Sequence, residues 1–256
     1  MSALLNYKQE GQGQTVVLIH GLFGSLSNLG LLARDLIKDH TVISIDLRNH
    51  GLSFHSNIHN YADMAKDVAQ LLQHLNVDPS IIIGHSMGGK VAMTLVDIAP
   101  EHVKQLVVLD MAPVAYTANR HDNVFNGLHA VINEKPASRQ QAMDILAQHV
   151  EIDGVRQFLS KSLYKNGDKM DWRFNVPSLF ENYAQIIGWQ EIAPPTDIPT
   201  LFVKGGDSDY LMPEHQPAVQ KQFKQAKAHI IANTGHWLHA EKPAEVMRVI
   251  RKYISS

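Results

Sequence analysis

The chain has 256 residues, 45% of them hydrophobic and 19% charged, with 23 basic and 25 acidic side chains and no cysteine. That is ample material for a core, which excludes a disordered chain, and the missing cysteine excludes a disulfide scaffold, a thiolate metal site and a cysteine nucleophile. A formal net charge of −2 supplies no electrostatic reason to expect a nucleic-acid partner.

The first fourteen residues, MSALLNYKQEGQGQ, have neither a basic start nor a long apolar run, so they do not read as a secretory signal. Residues 11–33 carry no Lys, Arg, Asp or Glu, yet Gln12, Gln14, His20, Ser25, Asn28 and five glycines interrupt them. A membrane-spanning helix needs about 20 mostly apolar residues. The stretch reads as a strand, a turn and a helix start, and a cytoplasmic protein is expected.

Four short apolar runs follow along the first 112 residues: Thr15–Ile19, Thr41–Ile45, Ile81–Ile83 and Leu106–Leu109. Near-continuous β-branched runs suit a parallel sheet covered on both faces. Between them Met64, Ala65, Val68, Leu71, Leu72 and Leu75 form one helical stripe, with Asn60 as a candidate cap and Asn76 just past the end. After Pro113 the pattern changes. Residues 114–195 contain helical faces (Ala142, Ile145, Leu146 and His149; then Val155, Phe158, Leu159 and Leu163) but no convincing β run. The β signal resumes at Leu201–Val203 and Ile230–Ile231, and a last helix covers roughly 242–254. The expectation is an α/β core, 1–113 and 196–256, with a helical cap inserted at 114–195.

Four stretches carry chemistry. Gly84-His85-Ser86-Met87-Gly88 fits G-x-S-x-G and lies between a strand and a helix-competent segment, the context that motif requires. A sharp turn there lifts the Ser86 hydroxyl clear of the sheet, and the helix start favours negative charge beside it. His20-Gly21-Leu22-Phe23-Gly24 ends the first long strand, so the Leu22 and Met87 amides are the expected oxyanion donors. His20 itself reads as a ring that bonds local backbone. Gly235-His236-Trp237 follows the last strand, after the serine in chain order, and marks His236 as the base over His239 and the other histidines. For the acid that orients the base, the residues leave two choices. Asp110 ends the strand after the serine unit, and Asp209 lies in Gly206-Asp207-Ser208-Asp209-Tyr210-Leu211-Met212-Pro213. Both sit at the carboxyl edge of the sheet, where catalytic groups of open α/β sheets gather.

These motifs resemble the α/β-hydrolase superfamily, and in particular the small bacterial YbfF-type esterases and their mitochondrial abhydrolase relatives. The matching stretches are HGLFGSLSNLG at 20–30, DLRNHGLS at 46–53, GHSMGGK at 84–90, LDMAPV at 109–114, RHD at 120–122, WRFNVP at 172–177, GGDS at 205–208 and GHWLHAEKP at 235–243. Many superfamily members carry the acid as G-x-x-D-x-x-x-P, which Gly206, Asp209 and Pro213 fit. The YbfF-like group instead carries GGxS there and moves the acid to the end of the earlier strand. The resemblance therefore favours Asp110, with Ser208 bonding near the triad.

The resemblance also implies hydrolysis of short-to-medium acyl esters or acyl-CoA thioesters, without metal or organic cofactor. Epoxide hydrolases and haloalkane dehalogenases on this fold use an aspartate where this chain has Ser86. A cofactor-free haloperoxidase activity, or a retired triad serving as a small-molecule-binding protein, are the rival readings. Phe23, Arg120, His121, Trp172, Arg173, Phe174 and Trp189 are the candidates for lining the substrate site, although packing within the cap is the ordinary role for most of them. Basic residues among them could meet a CoA phosphate or an acyl carboxylate.

Overall fold

A computed structural model describes residues 3–255, so Met1 and Ser2 of the N-terminal segment and Ser256 lie outside the described residues. In chain order the elements are β1 (Tyr7–Glu10), β2 (Thr15–Ile19), α1 (Gly30–Leu36), β3 (Thr41–Ile45), α2 (Tyr61–Leu75), β4 (Ser80–His85), α3 (Met87–Ile98) and β5 (Val103–Leu109). Then come α4 (Asp122–Glu134), α5 (Arg139–Ala147), α6 (Asp153–Ser160), β6 (Leu163–Asn166), β7 (Lys169–Trp172), α7 (Val176–Glu181) and α8 (Tyr183–Ile187). The chain closes with β8 (Thr200–Gly205), α9 (Gln216–Gln222), β9 (Ala226–Ile231), α10 (Leu238–Glu241) and α11 (Pro243–Ile254). No helix among the described residues is long and apolar enough to cross a membrane.

Seven strands form one sheet in the order β1-β3-β2-β4-β5-β8-β9. Only β1 runs antiparallel to its neighbour; the rest pair in parallel. The TVVLI run of β2 is apolar throughout because successive side chains point to opposite faces and both faces are covered. Val17 and Ile19 join one buried cluster with residues of α2 and α3, while Val16 and Leu18 join another with residues of α1 and α11. Helix α2 starts where the Asn60 side chain accepts a hydrogen bond from the Asp63 amide at 2.8 Å, and it ends at Asn76 in a left-handed conformation.

Between β5 and β8 the chain makes α4–α8 and a small hairpin. The expectation that 114–195 holds no β structure is corrected here. β6 and β7 pair antiparallel, with Asn166 opposite Lys169 across a two-residue loop. The loop pair is Gly167-Asp168, and Gly167 takes a φ of +63°, the glycine-first arrangement favoured at such a turn. Each strand has only four residues, several of them charged, so no apolar run announces it. Leu163, expected to continue a helical face, instead opens β6.

A buried polar assembly braces the loop at the end of β2. The Asp46 carboxylate accepts from the Leu26 and Leu52 amides at 2.7 and 2.9 Å and from the Asn6 amide group at 2.7 Å. Gly51 is required beside it, since a Cβ there would overlap the Asp46 carboxyl. His20 accepts from the Leu47 amide at 3.1 Å and makes its other ring contact, 2.8 Å, with the Gly21 carbonyl. His50 accepts from the Phe23 amide at 3.1 Å. His20, His50 and His59 lie ring to ring, 5.1 and 5.6 Å apart, in the protein interior.

Burial is the main reason these rings resist protonation. It holds His59 down at about 3 and His50 well below its ordinary value. Their folded pKa values lie under the unfolded value of 6.5, so the unfolded chain binds more protons below that pH. Stability is therefore complete above pH 6.5 and falls as pH drops toward 3. Urea denaturation between pH 7 and 4 is expected to show a steadily decreasing unfolding free energy, smaller in decrement for His59→Asn. A flat profile would contradict the burial argument. Separately, Gly88→Ala is expected to lower stability by about 1–3 kcal/mol, read as a shift in urea midpoint, because its Cβ would overlap the Ile19 and His20 carbonyl oxygens.

Candidate active site

The turn between β4 and α3 presents Ser86. Its backbone sits at φ +55° and ψ −123°, a conformation that non-glycine residues rarely adopt. The strain is held from both sides. Ser86 N donates to the Leu109 carbonyl on β5 at 3.0 Å, and the Ser86 carbonyl accepts from the Gly89 and Lys90 amides at 2.8 and 3.2 Å. Gly84 lacks a Cβ because one would overlap the Gly88 carbonyl oxygen. The loop after β2 presses against the same point, since a Cβ on Gly21 would lie 3.1 Å from the Ser86 Cβ.

The loop after β9 brings His236 to this serine. His236 Nε2 lies 2.8 Å from Ser86 Oγ, and Nδ1 lies 2.7 Å from Asp110 Oδ2. A carboxylate only accepts, so Nδ1 carries the ring proton and Nε2 is left to accept from the serine hydroxyl. His85 donates to the His236 carbonyl at 2.8 Å, and Tyr210 stacks on the ring at 3.9 Å. Asp110 follows β5 with a φ of +52°, fully buried. Its Oδ1 accepts from the Gly205 amide at 2.9 Å, and its Oδ2 also accepts from the Ser208 hydroxyl. No oxygen of this buried charge is left bare, as its burial demands.

Asp209 lies apart from this chain of contacts. Its side chain is 67% exposed and pairs with Arg120 at 2.6 Å, which holds its carboxyl below the ordinary range. The two candidate acids thus occupy different places, one on the histidine and one on the arginine.

Leu22 and Met87 are buried and border a small cavity at Ser86. Phe23, at φ +60°, lines a larger cavity and packs against Phe125 and Phe174 at 5.3 Å each. Arg120 and His121 border both cavities. The Arg120 guanidinium lies 4.5 Å over Tyr210, and His121 bonds the Tyr183 hydroxyl at 2.7 Å, with burial pressing its pKa down to about 4.

Two expected lining residues are elsewhere. Trp172 donates to the Leu128 carbonyl at 3.2 Å and stacks on Phe174, while Trp189 donates to Gln222 at 2.9 Å and packs on Tyr61. Each indole N–H has its partner inside the protein, so each ring fills packing space and borders neither cavity. Phe174 is likewise buried in packing, and Arg173 lies over Tyr164 at the surface.

Several residues at the site had not been singled out by sequence reasoning. Lys90 lies one helical turn past Ser86 and is fully buried. Its ammonium donates to the Ile187 and Gly188 carbonyls at 3.2 and 2.8 Å and faces the Tyr116 ring at 4.7 Å. Burial pulls its pKa down to about 7. A lysine amid the apolar stretch of α3 was the available signal. Tyr116, Tyr183 and Tyr210 had none, since their approach depends on how the insertion folds back.

Compared with known proteins, residues 14–243 match the profile of a family described as alpha/beta hydrolase fold. The chain is 48% identical over 240 residues to "Esterase YbfF" of Escherichia coli (strain K12), covering 94% of this chain and 92% of that protein. It is 35% identical over 247 residues to "sn-1-specific diacylglycerol lipase ABHD11" of Mus musculus, covering 94% of this chain and 80% of that one. Among solved structures, "Marine microorganism esterase" superposes with a TM-score of 0.94 at 31% identity, covering 98% of this chain and 100% of that chain. The strand order, the serine-bearing turn and these matches agree that the chain belongs to the α/β-hydrolase family.

Proposed function

We propose that this chain is a serine carboxylesterase that hydrolyses short-to-medium acyl esters, and acyl-CoA thioesters, through an acyl-enzyme on Ser86. The reading rests on one observation: the unbroken sequence of contacts from Ser86 Oγ to His236 and on to Asp110, at 2.8 and 2.7 Å. His236 takes the Ser86 proton while Oγ attacks the carbonyl carbon. The Leu22 and Met87 amides hold the oxyanion. His236 then returns the proton to the leaving oxygen or sulfur, the acyl–heteroatom bond breaks, and water repeats the cycle on the acyl-enzyme. Asp110 keeps the ring in its Nδ1–H form and stabilises the imidazolium. Ser208 orients Asp110. Residues 114–195 act as a cap over a core made of 1–113 and 196–256.

Names of relatives support the ester chemistry, since two of them are called esterase and diacylglycerol lipase. Ser86→Ala is expected to lower kcat for p-nitrophenyl acetate by about 10⁴-fold or more with the circular dichroism spectrum unchanged. Near-normal turnover would sink the scheme. A fluorophosphonate probe should label Ser86, which a retired site would not permit. For the acid, Asp110→Asn is expected to cost about 10⁴-fold in kcat while Asp209→Asn leaves kcat near wild type. The reverse pattern transfers the role to Asp209. For the thioester arm, kcat/KM for an acyl-CoA should exceed that for a matched simple thioester; equality would count against CoA recognition.

A further inference from the structure

The space around Ser86 is divided into two unequal parts. One cavity, of about 30 Å³, is bordered by Leu22, Ser86, Met87, Lys90, Met111 and Ile187 among others. The other, of about 730 Å³, is bordered by Ser86 and His236 together with Phe158, Val155 and Trp237 among others. Ser86 belongs to both cavities, and His236 only to the large one.

That asymmetry assigns the two halves of an ester. When Ser86 Oγ bonds to the carbonyl carbon, the acyl substituent stays on the serine. The leaving oxygen departs with the electron pair of the broken C–O bond and the proton carried by His236 Nε2. It must therefore sit beside His236, in the large cavity. The acyl substituent is directed to the other side, into the small one. A space of 30 Å³ admits about two water-sized groups, and so one or two carbons beyond the carbonyl. The larger space lies in the range that encloses a sizeable organic ligand.

Part of the wall of the small cavity is held rigidly. Lys90 is 0% exposed, and its ammonium is tied to the two carbonyls at the end of α8 and surrounded by the rings of Tyr61, Tyr116 and Trp189. Displacing that side chain to admit a longer acyl chain would strip the ammonium of these partners inside the protein. Ile187 is held in the same wall through its own carbonyl.

We propose that this chain selects esters of short acyl groups, acetyl or propionyl, carrying a bulky alcohol or thiol. The proposal rests on the assignment of Ser86 as nucleophile and His236 as base. The test uses two isomeric esters of equal size, octyl acetate and ethyl octanoate, which differ only in which side carries the long chain. On the full chain, kcat/KM for octyl acetate is expected to exceed that for ethyl octanoate by about tenfold or more. Equal values, a reversed order or no turnover of octyl acetate would overturn the proposal. Loss of p-nitrophenyl acetate turnover in Ser86→Ala checks the underlying reading on its own. If that turnover is lost and the isomer order is reversed, only the division of the site is wrong; if the variant turns over normally, both fall. Ile187→Ala should raise the butyrate-to-acetate ratio of p-nitrophenyl ester turnover several-fold, and an unchanged ratio in the folded variant would count against the assigned wall.

Discussion

The close approach of three backbone segments at the β4–α3 turn is the constraint on which the rest of the site depends. Gly84, Gly88 and the carbonyls at the end of β2 meet without room for a Cβ, and the strain at Ser86 persists because these neighbours leave the turn no other course. Packing of the sheet therefore does the positioning. β4 lies between β2 and β5, so the serine is flanked by the loop of one neighbour and by Asp110 at the end of the other. The buried polar assembly around Asp46, His20 and His50 extends this constraint one strand further, because it holds the Leu22–Phe23 loop against the serine.

Charge is managed by different means at Asp110 and Lys90, two buried ionisable groups near this turn. Asp110 is surrounded by donors: an amide, a hydroxyl and the histidine ring. Lys90 relies instead on two carbonyls and aromatic faces. The first arrangement gives each carboxylate oxygen a donor. The second suits a group whose proton is weakly held, in keeping with a pKa pulled down to about 7 by burial.

Much of this was legible in the amino-acid sequence because it was written in local signals. The apolar runs of β2 to β5, the stripe of α2 and the glycine spacing around Ser86 each depend on neighbours only a few residues away. The choice between Asp110 and Asp209 was not local. Both follow strands at the same sheet edge, and only the course of the loops shows that Arg120 meets one and His236 the other. The β6–β7 hairpin escaped notice because polar four-residue strands carry little periodicity, although its Gly167-Asp168 pair was a visible turn signal. Trp172 and Trp189 are ambiguous for a related reason. A large aromatic ring in an insertion over a site suits lining and packing equally well, and the decision lies with distant partners, Leu128 and Gln222.

The contact between Ser86 and His236 spans 150 positions of chain, and that between Asp110 and His236 spans 126. A ribosome delivering this chain makes the serine turn long before His236 exists. The insertion, then β8 beside β5 and β9 beside β8, must first be made and docked. Until then the edge of β5 that β8 will cover is unpaired. The contacts that join Ser86, His236 and Asp110 thus require nearly the whole length of the chain.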